Sequence, residues 1–345
     1  MAKLSARKMC FDRILPLDLI RPRRDELVKL PNGRVRAITP LRKQWINGST
    51  IRIRFMSGTA AQQKMVRDFA PEWTNFANLK FEFSEDPRAE IRVAFDESDG
   101  AWSYIGTDNS GIPLNSPTLN LGWQDQGVIL HEFGHMIGLA HEHQNPAGGL
   151  QWNEEIVLRD LKGPPNYWDE PTIRHNVLDK YTADQVNGTD FDQNSIMLYA
   201  FPDNWTKNPG GTHENSNLSD MDKAFAKSAQ MYPGKTTPTV SAVELPVMTG
   251  TVAKIATPGE EDLYKFVVKK AGQYVIETSG GSDLFMTLFG PNNLTQKLAE
   301  DDDSGADTNP QIIATLQPGE YFARVRHYTS TGTGNYEIRV IASNK

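Results

Sequence analysis

The chain has one cysteine, Cys10, in 345 residues. No intramolecular disulfide is therefore available, and the compartment's redox state is left open. No apolar run approaches the roughly 20 residues that a membrane-spanning helix needs. Basic residues are outnumbered, with 36 Lys+Arg against 43 Asp+Glu and a formal net charge of −7. That balance argues against a nucleic-acid partner, because phosphate binding requires a basic surface. The opening stretch, "MAKLSARKMCFDRILPLDLI", has neither a clean apolar core nor a small-residue cleavage site, so as it stands it does not read as a secretory signal peptide. Solenoid repeats and glycine-rich calcium nonapeptides are absent too. Histidine is scarce at seven, yet four of the seven crowd into "VILHEFGHMIGLAHEH", residues 128–143.

A chain of this length is expected to form two domains. Residues 1–44 are punctuated by proline and arginine and read as an irregular leading segment, a candidate pro-segment. Residues 45–232 read as a first domain. "STIRIRFMSG" alternates Ile51, Ile53 and Phe55 inward as a half-buried strand. "TAAQQKMVRDFAPEWTNFA" carries Val66, Phe69, Ala70 and Trp73 at helical spacing, with Pro71 predicting an early stop. "LKFEFSE", "EIRVAFDE" and "PTLNLGW" add strands, giving a mixed α/β sheet layered against helices. Residues 233–246, rich in Thr, Pro, Ser and Lys, read as a linker. From 247 to 345 the segments "DLYKFVV", "QYVIET", "DLFMTLFG", "QIIATL", "YFARVRH" and "YEIRVIA" alternate between Gly/Pro turns, which predicts an all-β sandwich.

In the histidine stretch, Val128, Ile129, Leu130, Phe133, Met136 and Ile137 support a helix. His131 and His135, one turn apart, then leave the same face. Two neutral imidazoles at that spacing reach one Zn2+ at roughly 2.0–2.1 Å. Glu132 sits beside the metal rather than on it, where a carboxylate can take a proton from bound water. Gly138 can adopt the positive φ that ends the helix and turns the chain, and His141 swings back as a third nitrogen ligand. Three protein ligands leave a fourth position for water, which is the catalytic arrangement of zinc. A bare His-x-x-x-His is often chance, but the full H-E-x-x-H-x-x-G-x-x-H string fixes five positions, each with its own mechanical role.

"HEFGHMIGLAH" with the downstream "SIMLY" resembles the metzincin zinc peptidases and their Met-turn. "GVILHEFGHMIGLAHEH" followed by "FDQNSIMLY" is most similar to the astacin family, and "GAWSYIGTD" and "PTLNLGW" extend the likeness to roughly residues 45–232. The resemblance implies a zincin-type α+β catalytic domain with a long active-site helix. It implies that Met197 floors the zinc and that Tyr199 swings to stabilise the oxyanion, as a phenol donor can. It also implies that Glu142 pairs with the amine of a processed N-terminus. An extended peptide is expected to lie antiparallel to the strand near Leu119–Leu121, held by main-chain hydrogen bonds. The chain departs from animal astacins in having no disulfides and in carrying Leu198 where they usually have histidine. Through "EDLYKFVVKKAGQYVIET", "SDLFMTLFGPNN" and "LQPGEYFARV", the C-terminal part resembles the bacterial pre-peptidase C-terminal (PPC) domain. That likeness implies secretion, and targeting to extracellular matrix or glycan rather than catalysis.

The sequence thus points to a zinc-dependent endopeptidase acting on protein or peptide substrates, with His131, His135 and His141 holding one catalytic ion, Glu132 as general base and acid, and Tyr199 assisting. Two alternatives stand beside it: a latent or inactive zinc domain on a matrix- or glycan-binding protein, and a processing protease or toxin of narrow specificity. Cys10 and Asp12 could occupy the open zinc position as a latency switch, although a packing or surface role is favoured for both. His143 reads as a neighbour of the site or a surface residue; His175, His213 and His327 read as structural or solvated. "LAEDDDSGAD" offers Asp301, Asp302, Asp303 and Asp307 to a hard cation such as Ca2+ near Asp301 and Asp303, with a solvated acidic turn at least as good a reading.

Overall fold

The computed structural model describes residues 11–12, 43–146, 148, 150–164, 166–181, 190–207, 210–228, 231–232, 242–329 and 332–343. They fall into two compact units, one built on residues 50–232 with 11–12 and 43–45, the other on residues 242–343 with 46–49. None of the helices among the described residues is long and apolar enough to cross a membrane.

The first unit carries a six-stranded sheet from β1 (Phe11–Asp12), β2 (Thr50–Phe55), β3 (Lys80–Phe83), β4 (Ile91–Ala94), β5 (Ala101–Ser103) and β6 (Leu119–Leu121). Their order across the sheet is β1-β5-β6-β4-β2-β3. β2, β3, β4 and β6 run parallel. β5 is antiparallel to β6, and β1 is parallel to β5. Ile51, Ile53 and Phe55 point inward as their alternation predicts. α1 (Ala60–Phe69) opens on a capping box between Thr59 and Gln62 and gives way to a 3-10 turn at Ala70–Asn75, where Pro71 stops the regular helix. α2 (Gln126–Met136) runs through the core, and α3 (Glu154–Lys162), α4 (Glu170–Ile173) and α5 (Asp220–Ala226) follow it.

Two expectations change here. The leading segment is not wholly irregular, because Phe11 pairs with Trp102 and Asp12 with Ser103. A two-residue strand has no alternation for a sequence to display. The strand expected to receive a peptide is also the wrong one. β6 lies between β4 and β5, so its backbone is paired on both sides. β5 is the strand beyond it, and β1 lies along the far side of β5.

The second unit is a β-sandwich. One sheet is ordered β13-β10-β15-β8 and the other β12-β11-β14-β9-β7, from β7 (Val243–Glu244), β8 (Thr251–Ile255), β9 (Glu261–Val268), β10 (Gly272–Ser279), β11 (Leu284–Phe289), β12 (Lys297–Asp301), β13 (Gln311–Leu316), β14 (Gly319–His327) and β15 (Gly334–Ala342). Side chains such as Phe266, Ile276, Met286, Val325 and Ile338 fill the space between them. β7 falls within the stretch read as linker; it pairs with β9, and Leu245 just after it is buried.

Candidate metal centre

α2 begins where the Asp125 carboxylate accepts the Val128 N–H at 2.9 Å, an N-cap that satisfies one orphan donor. From Gly127 to Met136 every residue is buried, so the helix is enclosed by protein on all sides. Position 134 is tightly packed, because a Cβ there would lie 2.4 Å from Met197 Sδ and would push that side chain aside. Met197 therefore packs directly against the helix. Beyond the helix, Gly138 takes φ +111°, the left-handed conformation that reverses the chain toward His141.

The turn brings three imidazoles together. His135 Nε2 lies 3.1 Å from His131 Nε2 and 3.0 Å from His141 Nε2, and all three rings are buried. Ligands about 2.0–2.1 Å from a tetrahedral zinc stand about 3.3 Å apart, so the donor set fits that ion. The far nitrogens fix the tautomers. His131 Nδ1–H donates to Ile196 O at 2.7 Å and His135 Nδ1–H to Leu139 O at 2.8 Å, which turns both Nε2 lone pairs toward the shared point. Among the described residues this trio is the one group of three or more His, Cys, Asp or Glu side chains placed to hold a metal. Glu132 is fully buried on the same helix. The Tyr199 ring lies 4.2 Å from that of His141 and 5.4 Å from that of His131, centroid to centroid.

The family model "Astacin", which describes a peptidase family, matches residues 37–217. The chain belongs to the astacin family. Its solved relatives include myroilysin, 35% identical, with a TM-score of 0.55 over 57% of this chain and 98% of that one. Zinc metalloproteinase dpy-31 of Brugia malayi is 28% identical over 51% of this chain and 27% of its own length. Astacin-like metalloprotease toxin 5 of Loxosceles gaucho is 27% identical over 45% of this chain and 76% of its own. The chain thus spans about a quarter of the first of these curated relatives and most of the second. A second model, "Bacterial pre-peptidase C-terminal domain", matches residues 260–327, within the sandwich.

Around the histidines of this astacin, several side chains do work that sequence reasoning left out. Asp222 on α5 is buried, and its carboxylate accepts the Ser195 hydroxyl at 2.7 Å, the Ile196 N–H at 2.8 Å and the Ser219 N–H at 2.9 Å. It thereby holds the Met-turn, although burial pushes its carboxyl above the usual range. Ser219 and Asp222 form a capping box, and the "SDMD" spacing was the available signal. Trp73 Nε1–H donates to Leu130 O at 2.9 Å, a further tie on α2. Glu142 accepts the Asp192 N–H and the Asn145 amide, each at 3.0 Å, and burial pushes its carboxyl up to about 7.

The remaining candidates separate cleanly. His143 is buried beside the site, its Nε2 2.9 Å from Asn176 O and its ring 5.2 Å from those of His141 and Tyr199. Trp152, Phe201 and Trp205 extend this aromatic cluster, with Phe201 4.8 Å from Trp152. His213 is exposed; His175 and His327 are half-buried, and the His327 ring accepts the Thr329 N–H at 3.2 Å. Asp301 caps its own turn, accepting the Ser304 N–H, the Ser304 hydroxyl and the Gln311 N–H. Neither Asp301 nor Asp303 belongs to a metal-holding group. Cys10 and the Asp12 side chain lie outside the described residues.

Proposed function

We propose that the chain is a zinc-dependent endopeptidase in which His131, His135 and His141 hold the ion. The convergence of their three Nε2 atoms carries this reading. Bound there, zinc supplies Lewis-acid polarisation of the scissile carbonyl and acidifies water. Glu132, adjacent to the first ligand on a buried turn of α2, takes the proton of the attacking water and delivers it to the leaving amine. The Tyr199 phenol, against the His141 ring, donates to the oxyanion as charge develops. The buried walls of α2 exclude bulk water, which strengthens each of these interactions.

Protein or peptide substrates follow from this chemistry. The astacin relatives and the PPC module support secretion, and the module supports attachment to matrix or glycan. The domain limits proposed are 45–232 for catalysis and, for the sandwich, a start near 242, because β7 and Leu245 belong to its sheet and core. Zinc alone is assigned. Calcium at Asp301 and Asp303 is left out because the turn's own donors already occupy the Asp301 carboxylate.

Digestion of a denatured protein mixture, with and without chelator, tests the reading. Cleavage at many sites that the chelator abolishes and zinc restores supports it. A single chelator-sensitive product narrows it to a processing enzyme. No cleavage by zinc-loaded protein overturns it in favour of a binding protein.

A further inference from the structure

The C-terminal end of α2 meets two segments remote from it in sequence. The helix's own turn satisfies the carbonyls of residues 133 to 135: Ile137 N–H reaches Phe133 O, Leu139 N–H reaches Gly134 O, and Gly138 N–H reaches His135 O. The next two carbonyls, of Met136 and Ile137, lie past the reach of those amides. Trp45 Nε1–H donates to Met136 O at 2.8 Å, and the Tyr232 hydroxyl donates to Ile137 O at 2.6 Å. The same phenol oxygen accepts the Trp45 N–H at 3.0 Å, which locks the two donors to each other. Both rings are fully buried.

The segment bearing Trp45 is itself fixed. Lys43 Nζ pairs with Asp108 at 2.8 Å with both side chains largely buried, and Lys43 O accepts the Thr107 N–H at 2.7 Å. Gly138 packs against the same segment: a Cβ there would be 3.7 Å from Gln44 Cα and from Lys43 O. The chain between His135 and His141 therefore starts from a point pinned on two sides. Neither Trp45 nor Tyr232 is one of the metal-holding side chains.

We propose that Trp45 and Tyr232 are positioning residues for the metal centre. By holding the carbonyls at which the helix ends, they set the turn that delivers His141 to the other two imidazoles before the ion arrives. They thus govern how long the ion is retained. This rests on the zinc reading above. Outer partners that orient ligands change metal affinity by about 10- to 100-fold.

The test uses the full chain with Tyr232→Phe, which deletes one hydroxyl and keeps the ring, and Trp45→Phe, which deletes the indole N–H. Tyr321→Phe in the sandwich serves as a control, because among the described residues its hydroxyl bonds only to the Gln317 backbone. Zinc release to a chromophoric chelator and the visible spectrum of the cobalt-substituted protein are followed, with melting of the apo and loaded forms. The expected result is zinc release faster by about 10-fold in Tyr232→Phe, with an altered cobalt spectrum and no change in the control. If Tyr232→Phe fails to fold, Trp45→Phe is read by the same criteria. Release within twofold of wild type, with melting lowered equally in apo and loaded protein, makes the pair merely structural and overturns the proposal. A wild-type chain that binds no zinc overturns the zinc reading and this proposal together, and the wild-type measurement alone identifies that outcome.

Discussion

The Nδ1 of His131 stands 2.7 Å from the carbonyl oxygen of Ile196, so the residue just before Met197 orients one of the three converging imidazoles. Ile196 is in turn held through its N–H by Asp222 at 2.8 Å. Asp222→Ala strands three donors at once, two of them buried. The expected loss is about 2–4 kcal/mol of folding stability, since bonds to a charged group are the stronger kind. Zinc affinity should fall with it. Denaturant titration of the apo form and a zinc competition assay measure the two effects.

Glu132→Gln should keep zinc, because the three imidazoles are untouched, and lose turnover by about 10²–10⁴-fold. Tyr199→Phe should keep zinc as well and lower kcat by about 10²-fold or more with KM little changed, as expected for a donor used only in the transition state. Steady-state kinetics on a quenched-fluorescence peptide, with metal content measured in parallel, separates the two. Near-normal turnover by Glu132→Gln removes it as the base.

Gly134→Ala puts a methyl 2.4 Å from Met197 Sδ and 3.2 Å from Trp73. Overpacking of this kind costs about 1–3 kcal/mol, against a gain of about 1 kcal/mol from replacing glycine in a helix. A net loss in melting temperature is expected. Adding Met197→Ala should recover part of it relative to the sum of the single changes, because the two side chains share one space. Strict additivity in the double-mutant cycle rules out the contact.

The sandwich should weaken in alkali. The Tyr336 hydroxyl donates to Asp262 at 2.5 Å, and its oxygen is 2.7 Å from that of Tyr264. Burial pushes Tyr264 up to about 12, raises Tyr336 further, and lifts the Asp262 carboxyl above its ordinary range. A group raised in the fold contributes stability that is complete below its unfolded value and is lost as pH climbs through its folded one. For the phenols that loss begins near pH 10. All seven tryptophans precede residue 206, whereas tyrosines lie on both sides of it, so a far-UV circular-dichroism transition without a matching tryptophan signal reports the sandwich. The denaturation midpoint of that transition should drop between about pH 10 and pH 12, and Tyr336→Phe should shrink the drop.

The histidine-bearing helix could be read in advance because its logic is local. Two histidines one turn apart, a carboxylate between them and a glycine at the reversal all fall within a few residues. The sandwich strands with full alternation, from Leu263 to Ile341, were legible for the same reason. What stayed hidden depends on contacts across long separations. Asp222 serves the Met-turn 26 residues earlier, and Trp45 meets a phenol 187 residues away, distances over which periodicity carries no signal. The interior place of β6 escaped too, because three buried residues do not reveal which strands flank them.

Trp45 and Tyr232 touch, so the two ends of the 45–232 stretch meet, while Phe11–Asp12 upstream still adds a strand to the sheet of that stretch. A host chain given this body would have to carry residues 11–12 with it, because the upstream flank runs on to β5 rather than leaving at that contact.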